Sequence, residues 1–255
     1  MFNKINKNNN YTIIAILSIS IVIHFIALFL NAGFYSDINT FKIWANLLYS
    51  NGFYNFYSSD VFTDYPAGYM YILYLCGIIK NLFNLDFNSF AFTFIIKLPA
   101  IIFDILSSIF IYKISLKFTD NYKSFLIAIL YTLNPAIILI SSVWGQIDSI
   151  YTFFIIYSIY LLENNKNLLS FIIFSISTVI KPQSLIFTPI YLFKIYQILK
   201  INNFSLESFK TIIKYFICSI ISIFIVLLPF AKIPNSFTLD FSYIINQYIS
   251  TIKSY

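Results

Sequence analysis

Arginine is absent from this chain, histidine occurs once, and only ten acidic residues stand against sixteen lysines. Without arginine no side chain can hold a phosphate or carboxylate through a rigid pair of parallel hydrogen bonds, so any anion meets lysine point charges. The single histidine, His24, lies inside an apolar run and is read as a packing residue. Ser-His-Asp and Cys-His nucleophile arrangements are thereby excluded. Cys76 and Cys218 sit in apolar segments without ligand spacing, which argues against a disulfide framework and a zinc site. The five glycines are scattered, so no phosphate-cradling or dinucleotide-binding loop is present. Charge itself is scarce: 10% of residues are charged and 59% hydrophobic, which excludes an ordinary soluble domain.

What is there is a series of apolar runs approaching the roughly 20 residues that span a bilayer core of about 30 Å. Residues 11–30 form the first, longer than the apolar core of a signal peptide and followed by FLNAGFY, so it reads as a retained span. Further spans are expected at 98–116, 124–143, 147–163, 167–180, 183–199 and 211–230, about seven in all. Lysines set the orientation. If residues 67–83 do not cross, Lys113, Lys117, Lys123, Lys166, Lys194, Lys200, Lys210 and Lys214 share the N-terminal, cytoplasmic side, leaving Lys97, Lys181, Lys232 and Lys253 outside, with Lys80 at the end of the non-crossing helix. That distribution obeys the positive-inside rule, and a crossing would invert it. The net charge of +6 is thus explained by topology, and no nucleic-acid partner is implied.

Between the first span and the rest lies the long segment 31–68, with Asp37, Asp60 and Asp64 among aromatics. Ser36 or Asp37 can cap a helix whose stripe is Ile38, Phe41, Ala45 and Leu48, with Asn39, Lys42 and Asn46 elsewhere and Gly52 as its stop. It reads as an amphipathic helix on the membrane surface. Pro66 then opens a second helix over 67–83.

On this topology one face collects Asp37 and Asp64, Lys97 with Asp104 two turns deeper, the turn Trp144-Gly145-Gln146-Ile147-Asp148, and Lys181-Pro182-Gln183. Charges at a membrane edge are functional candidates. The plainer alternative is that Asp37 and Asp148 cap helices and Lys97 snorkels. Carboxylates, lysines and aromatics together suit sugar handling, in which a hydroxyl loses a proton and a good leaving group departs.

The segments SDINTFKIWANLL, TDYPAGYMYILYLCGI, KLPAIIFDI, LNPAIILISSVWGQIDS and IKPQSLIFTP resemble the GT-C superfamily of polytopic glycosyltransferases. They are most similar to bacterial relatives of the PIG-V type GPI mannosyltransferase. The resemblance implies an all-α polytopic membrane protein, an N-terminal GT-C-like module in which 1–255 form a single transmembrane domain. Its first external loop, 31–97, would carry membrane-parallel helices. It implies Asp37 as catalytic base, the DYP turn at Asp64, Tyr65 and Pro66 (with Ala67 where relatives have a second Pro), and Lys97 at the donor phosphate, whose departing charge Lys97 or Lys181 would neutralise. Tyr65, Trp144, Gln146, Asp148, Lys181 and Gln183 complete the expected substrate contacts. The implied reaction moves a mannose-like hexose from a polyprenyl-phosphate donor to a lipid-linked, cell-wall or protein hydroxyl, with inversion. No cofactor or obligatory metal is expected, although Asp37 and Asp148 could share an ion. The expected setting is the lipid bilayer of the cell membrane, with the site on its outer face. The competing readings are a transporter or flippase, and an inactive, truncated paralogue.

Overall fold

The computed structural model describes residues 7–30, 34–57, 62–231, 241–242 and 245–246, and every element among them is helical. Asp60, Lys4, Lys232 and Lys253 lie outside the described residues. In order, the helices are α1 (Lys7–Leu28), α2 (Tyr35–Phe56), α3 (Ala67–Leu82), α4 (Phe90–Ser115) and α5 (Asn121–Thr132). They continue with α6 (Pro135–Ile138), which widens into a π turn (Leu139–Trp144), then α7 (Asp148–Glu163) and α8 (Asn167–Ile180). A 3-10 turn (Pro182–Phe187) leads into α9 (Thr188–Ile201), and α10 (Leu206–Leu227) ends in a second one (Leu228–Phe230).

Side-chain pairs fix how these helices run. Along α1, Thr12 meets Asn121, Ser20 meets Ser108 and Thr132, His24 bonds Ser142, and Phe29 stacks on Phe90. α1 is therefore antiparallel to α4 and parallel to the α5–π-turn segment. α7 follows α4 in parallel, with Phe103 on Phe153 and Phe110 on Tyr160. α8 returns antiparallel, with Ser170 on Ser158 and Lys181 on Asp148. This up-and-down order brings the ends of α1, the π turn and α8 together with the starts of α2, α4 and α7. Lys113, Lys117, Lys123, Lys166 and Lys210 belong to the opposite end.

Among the described residues, four helices are long and apolar enough to cross a membrane: Asn9–Leu28, Phe90–Ser115, Pro182–Ile201 and Leu206–Phe230. The pair Asn121–Thr132 and Pro135–Trp144, bent by 47°, makes five if it is one span. The protein is an all-α polytopic membrane protein, and its large exposed apolar side chains (Ile213, Ile217, Ile220 and Phe224 on α10, for example) suit lipid rather than water. Among the described residues, fewer helices meet the length of a span than the seven expected. The 124–143 run breaks because Pro135 has no N–H to donate and Asn134 caps the next turn, accepting from the Ala136 N–H at 3.0 Å. α7 and α8, of 16 and 14 residues, reach only about 24 and 21 Å at ~1.5 Å per residue.

α2 and α3 sit across the site end of the bundle. α3 touches the end of α10 through Tyr71, whose OH donates to the Val226 carbonyl at 2.7 Å, and the start of α4 through Cys76. The largest buried cluster joins Ile38, Phe41, Trp44, Ala45 and Leu48 of α2 to Tyr69, Met70 and Leu73 of α3 and to Phe92 and Ile96 of α4. Fully burying each such side chain contributes about 1.5–3 kcal/mol. α2 and α3 meet at Gly77, where a Cβ would come within 2.3 Å of the Ala45 carbonyl oxygen. The predicted stripe of α2 is buried as expected, but Lys42 joins it. Its ammonium lies 5.6 Å from the ring centres of both Phe87 and Phe92, an arrangement spacing alone assigned to the polar face. Gly52, expected to end α2, instead kinks it at φ 71° before helix resumes to Phe56.

Candidate functional site

α2 begins after Phe34 with no side-chain cap, so neither Ser36 nor Asp37 closes the helix end. The Asp37 carboxylate turns away from its own backbone. Its Oδ2 accepts from Trp144 Nε1 at 3.0 Å and from the Gln146 side-chain amide, and Ser36 Oγ lies 3.4 Å from Oδ1. Tyr65 OH donates to Gln146 Oε1 at 3.1 Å, so a phenol and a carboxylate together fix which way the amide points. The Tyr65 carbonyl in turn accepts from Tyr57 OH at 3.0 Å.

Gly145 makes this convergence possible. The π turn ends with the Gly145 and Gln146 N–H groups both donating to the Ile140 carbonyl, at 3.0 and 2.9 Å. Gly145 then takes φ 84°, a left-handed backbone that side chains disfavour. A Cβ there would lie 2.8 Å from both Ile38 Cδ1 and Lys97 Cγ. Only glycine lets the chain pass this close to α2 and α4 while Trp144 and Gln146 reach the same carboxylate oxygen.

Lys97 lies beneath that turn, only 4% exposed, and its Nζ donates to the Val143 carbonyl at 2.6 Å. It therefore braces the π turn. Lys181 is the cation on the site side. It pairs with Asp148 Oδ1 at 2.6 Å and lies 5.8 and 5.7 Å from the ring centres of Tyr65 and Tyr151. Asp148 starts α7 without capping it, since the cap position is Ile147 and no side chain fills it. Asp64 is half-buried, within electrostatic reach of Asp37 and Lys181. Burial above all pushes its carboxyl above the usual range, and the charge of Asp37 adds to this, while its own backbone N–H and Lys181 pull it back.

The structure thus brings together Asp37, Asp64, Tyr65, Trp144, Gln146, Asp148 and Lys181, with Lys97 just below. Gln183 is exposed in the 3-10 turn and stands outside the hydrogen-bonded network just traced. Asp104 is buried further down α4, on Tyr131. The tight turn at Gly145 and the ring of Tyr151 under Lys181 were not singled out by sequence reasoning, although a lone glycine between Trp and Gln was a visible signal. Among the described residues no three His, Cys, Asp or Glu side chains are grouped closely enough to hold a metal ion.

Chemically, the arrangement offers a carboxylate oriented through one oxygen by two N–H donors, with its other oxygen meeting, among the described residues, the long Ser36 contact. A lysine stands across the site for an anion. Trp144, 38% exposed and 5.8 Å from Phe34 centre to centre, gives an aromatic wall at the rim. A base, an anion partner and ring-stacking surfaces are what transfer of a sugar from a phosphate requires.

A family model described as GPI transamidase subunit PIG-U matches residues 32–254. No curated protein and no solved structure gives a significant match.

Proposed function

The chain belongs to the PIG-U family, and we propose that it handles a lipid-linked sugar at the Asp37 end of the bundle, as a glycosyltransferase of the GT-C kind. The observation that carries this is the Asp37 carboxylate, which leaves its own helix end uncapped and is held by Trp144 and Gln146 from more than a hundred residues away. In the proposed reaction an acceptor hydroxyl gives its proton to Asp37 as its oxygen bonds the anomeric carbon of a hexose. The bond from that carbon to the phosphate oxygen breaks, the electron pair leaves with the polyprenyl phosphate, and Lys181 neutralises the new charge. Attack opposite the leaving group inverts the anomeric centre, and Asp37 later releases its proton to solvent. General-base help of this kind contributes about 10²–10⁴-fold. Phosphate leaves without a strong general acid, so no histidine and no metal is needed in this scheme. With Lys113, Lys117 and Lys123 at the other end of the bundle, the positive-inside rule sets the site on the outer or luminal face.

A second reading comes from the family description: the chain serves as a glycolipid-recognising subunit of a transamidase-like membrane assembly, with Asp37 binding hydroxyls without reacting. Membranes carrying the chain, incubated with labelled polyprenyl-phosphate hexoses, separate the two. Label passing to an acceptor in the wild type but not in Asp37→Asn supports transfer. Photo-crosslinking of a glycolipid probe without any transfer supports recognition, and neither labelling nor transfer removes both.

A further inference from the structure

His24 is the one histidine of the chain, and the sequence offers it as a packing residue. In the structure it is 1% exposed, and its Nδ1 shares a 2.6 Å hydrogen bond with Ser142 Oγ, itself fully buried in the π turn. An ionisable side chain inside a membrane bundle is disfavoured and is a functional candidate by default. The place of this bond shows what it can do. Three consecutive residues of the π turn are each held from a different helix: Ser142 by His24 of α1, Val143 by Lys97 of α4, and Trp144 by Asp37 of α2. π turns are rare and are found most often at functional sites. This one ends on the indole and amide that orient the Asp37 carboxylate.

α1 is held in the register that delivers this grip. Four residues before His24, Ser20 meets Ser108 of α4 at 3.5 Å and Thr132 of α5 at 3.2 Å, and further down Asn121 Nδ2 donates to Thr12 Oγ1 at 3.2 Å. Thr12, Ser20 and His24 share one face of α1 by their spacing. Ile14, Ile21, Val22 and Phe25 are more than half exposed, toward lipid. Apolar side chains gain little from one another over lipid, so polar bonds between helices set the register. A slide of one turn, about 5.4 Å, would carry His24 away from Ser142. α1 also lies ahead of the family match, which covers 32–254. We propose that His24 is a positioning residue of the Asp37 site: it fixes the π turn through Ser142, and the turn presents Trp144 and Gln146 to the carboxylate. α1 is thereby a working part of the site as well as an anchor. The inference concerns the geometry of the site and rests on the proposed function for its effect on turnover alone.

The test uses the full chain in detergent with its two tryptophan indoles isotope-labelled for NMR. Trp44 is fully buried and its Nε1 donates to the Phe62 carbonyl at 2.9 Å, so its signal is the internal reference. Trp144→Phe assigns the other signal, and Asp37→Ala gives its position when the bond to the carboxylate is lost. His24→Leu and Ser142→Ala should both move the Trp144 signal toward that position while the Trp44 signal stays. His24→Asn, whose amide can stand in for Nδ1, should move it less, and Val22→Leu on the lipid side of α1 should leave it in place. Sugar transfer should fall about tenfold in kcat with the donor KM unchanged, inside the ~10²-fold that small misplacements cause. Should His24→Leu not fold, Ser142→Ala removes the same bond by the loss of one oxygen atom. A Trp144 signal unmoved by these variants, a joint shift of both indole signals in Ser142→Ala, or a His24→Asn shift as large as that of His24→Leu would each overturn the assignment. Absence of transfer in the wild type would count against the glycosyltransferase reading and not against this one, which the indole signals decide.

Discussion

Two ends of the same bundle use their acids differently. At the lysine-rich end, Asp120 caps its own helix, accepting from the Lys123 N–H at 2.9 Å, and pairs with the exposed Lys123 ammonium at 3.5 Å. Everything it does lies within three residues. At the site end, Asp37 and Asp148 also stand at helix starts, yet both leave the cap unmade. Asp37 reaches Trp144 and Gln146, and Asp148 reaches Lys181. A cap contributes about 0.5–2 kcal/mol, so forgoing two of them for long-range contacts has a cost unless those contacts serve something else. The difference supports the proposal that the site end is the functional one.

The sharpest way to break the comparison is to change each acid to asparagine, which caps as well as aspartate but accepts no proton. Asp37→Asn should leave the protein folded and lower sugar transfer by about two orders of magnitude or more. Asp120→Asn should leave both unchanged. The measurement is transfer per amount of detergent-stable protein, and wild-type turnover from Asp37→Asn would reduce Asp37 to a structural residue.

Next in size is Gly145→Ala. The left-handed backbone alone costs a side chain about 1–2 kcal/mol, and the new Cβ meets Ile38 and Lys97 at 2.8 Å. Relief of that clash moves Trp144 and Gln146 off Asp37, and small misplacements of this kind lower turnover up to about 10²-fold. Gly52→Ala makes the control, since at φ 71° and ψ 174° its backbone disfavours a side chain even more strongly but its Cβ meets nothing within 4 Å. It should lower the melting temperature without the loss of turnover. Equal turnover losses in the two variants would disconnect the Gly145 turn from the site.

The local half of this picture was legible in the sequence and the long-range half was not. Continuous apolar runs marked α1, α4 and α10, and the stripe Ile38, Phe41, Ala45 and Leu48 faces the core as spacing predicts. These depend on neighbours in the chain. The residues that converge on Asp37 were named because polar side chains at a membrane edge are few. Their partners, however, depend on how α2, the π turn and α8 pack. Lys97 shows the gap best: the sequence offers it as a phosphate ligand, whereas its ammonium is enclosed and holds the Val143 carbonyl. The break at Asn134-Pro135 was visible as a turn-forming dipeptide, but the apolar run around it outweighed that signal.

The two lysines therefore divide the work that the sequence assigned to both. Lys181→Ala should raise the donor KM about ten- to a hundredfold, the size of one lost charge-assisted hydrogen bond of ~1.5–3 kcal/mol. Lys97→Met should keep the donor KM and instead lower stability by about 1–3 kcal/mol, because a buried carbonyl is left without its donor. Steady-state kinetics and thermal unfolding of both variants decide it. The reverse pattern would return the phosphate to Lys97.

The smallest effect is expected at Asp64, the half-buried acid of the site. Burial raises its carboxyl above the ordinary range, with Asp37 adding to the rise, so the native state holds this proton more tightly than the unfolded chain does. Where the native state binds more protons, stability falls as pH rises. Wild-type stability should thus decline as pH rises from about 4, the ordinary carboxylate value, through the raised value, and this contribution should level off above it. Asp64→Asn has no proton to lose and should escape this decline. The variant should match or slightly exceed the wild type at neutral pH, by less than about 1 kcal/mol because a partly exposed charge is screened, and the gap should close near pH 4. Asp120→Asn again supplies the contrast. Hydrogen bonding to the Lys123 N–H holds the Asp120 carboxyl below the ordinary range, so wild-type stability there rises with pH through the acid window and is lost on acidification. Thermal unfolding in detergent between pH 3 and 7 reads both slopes, and slopes of the same sign at the two acids would erase the distinction between a local cap and a buried site carboxylate.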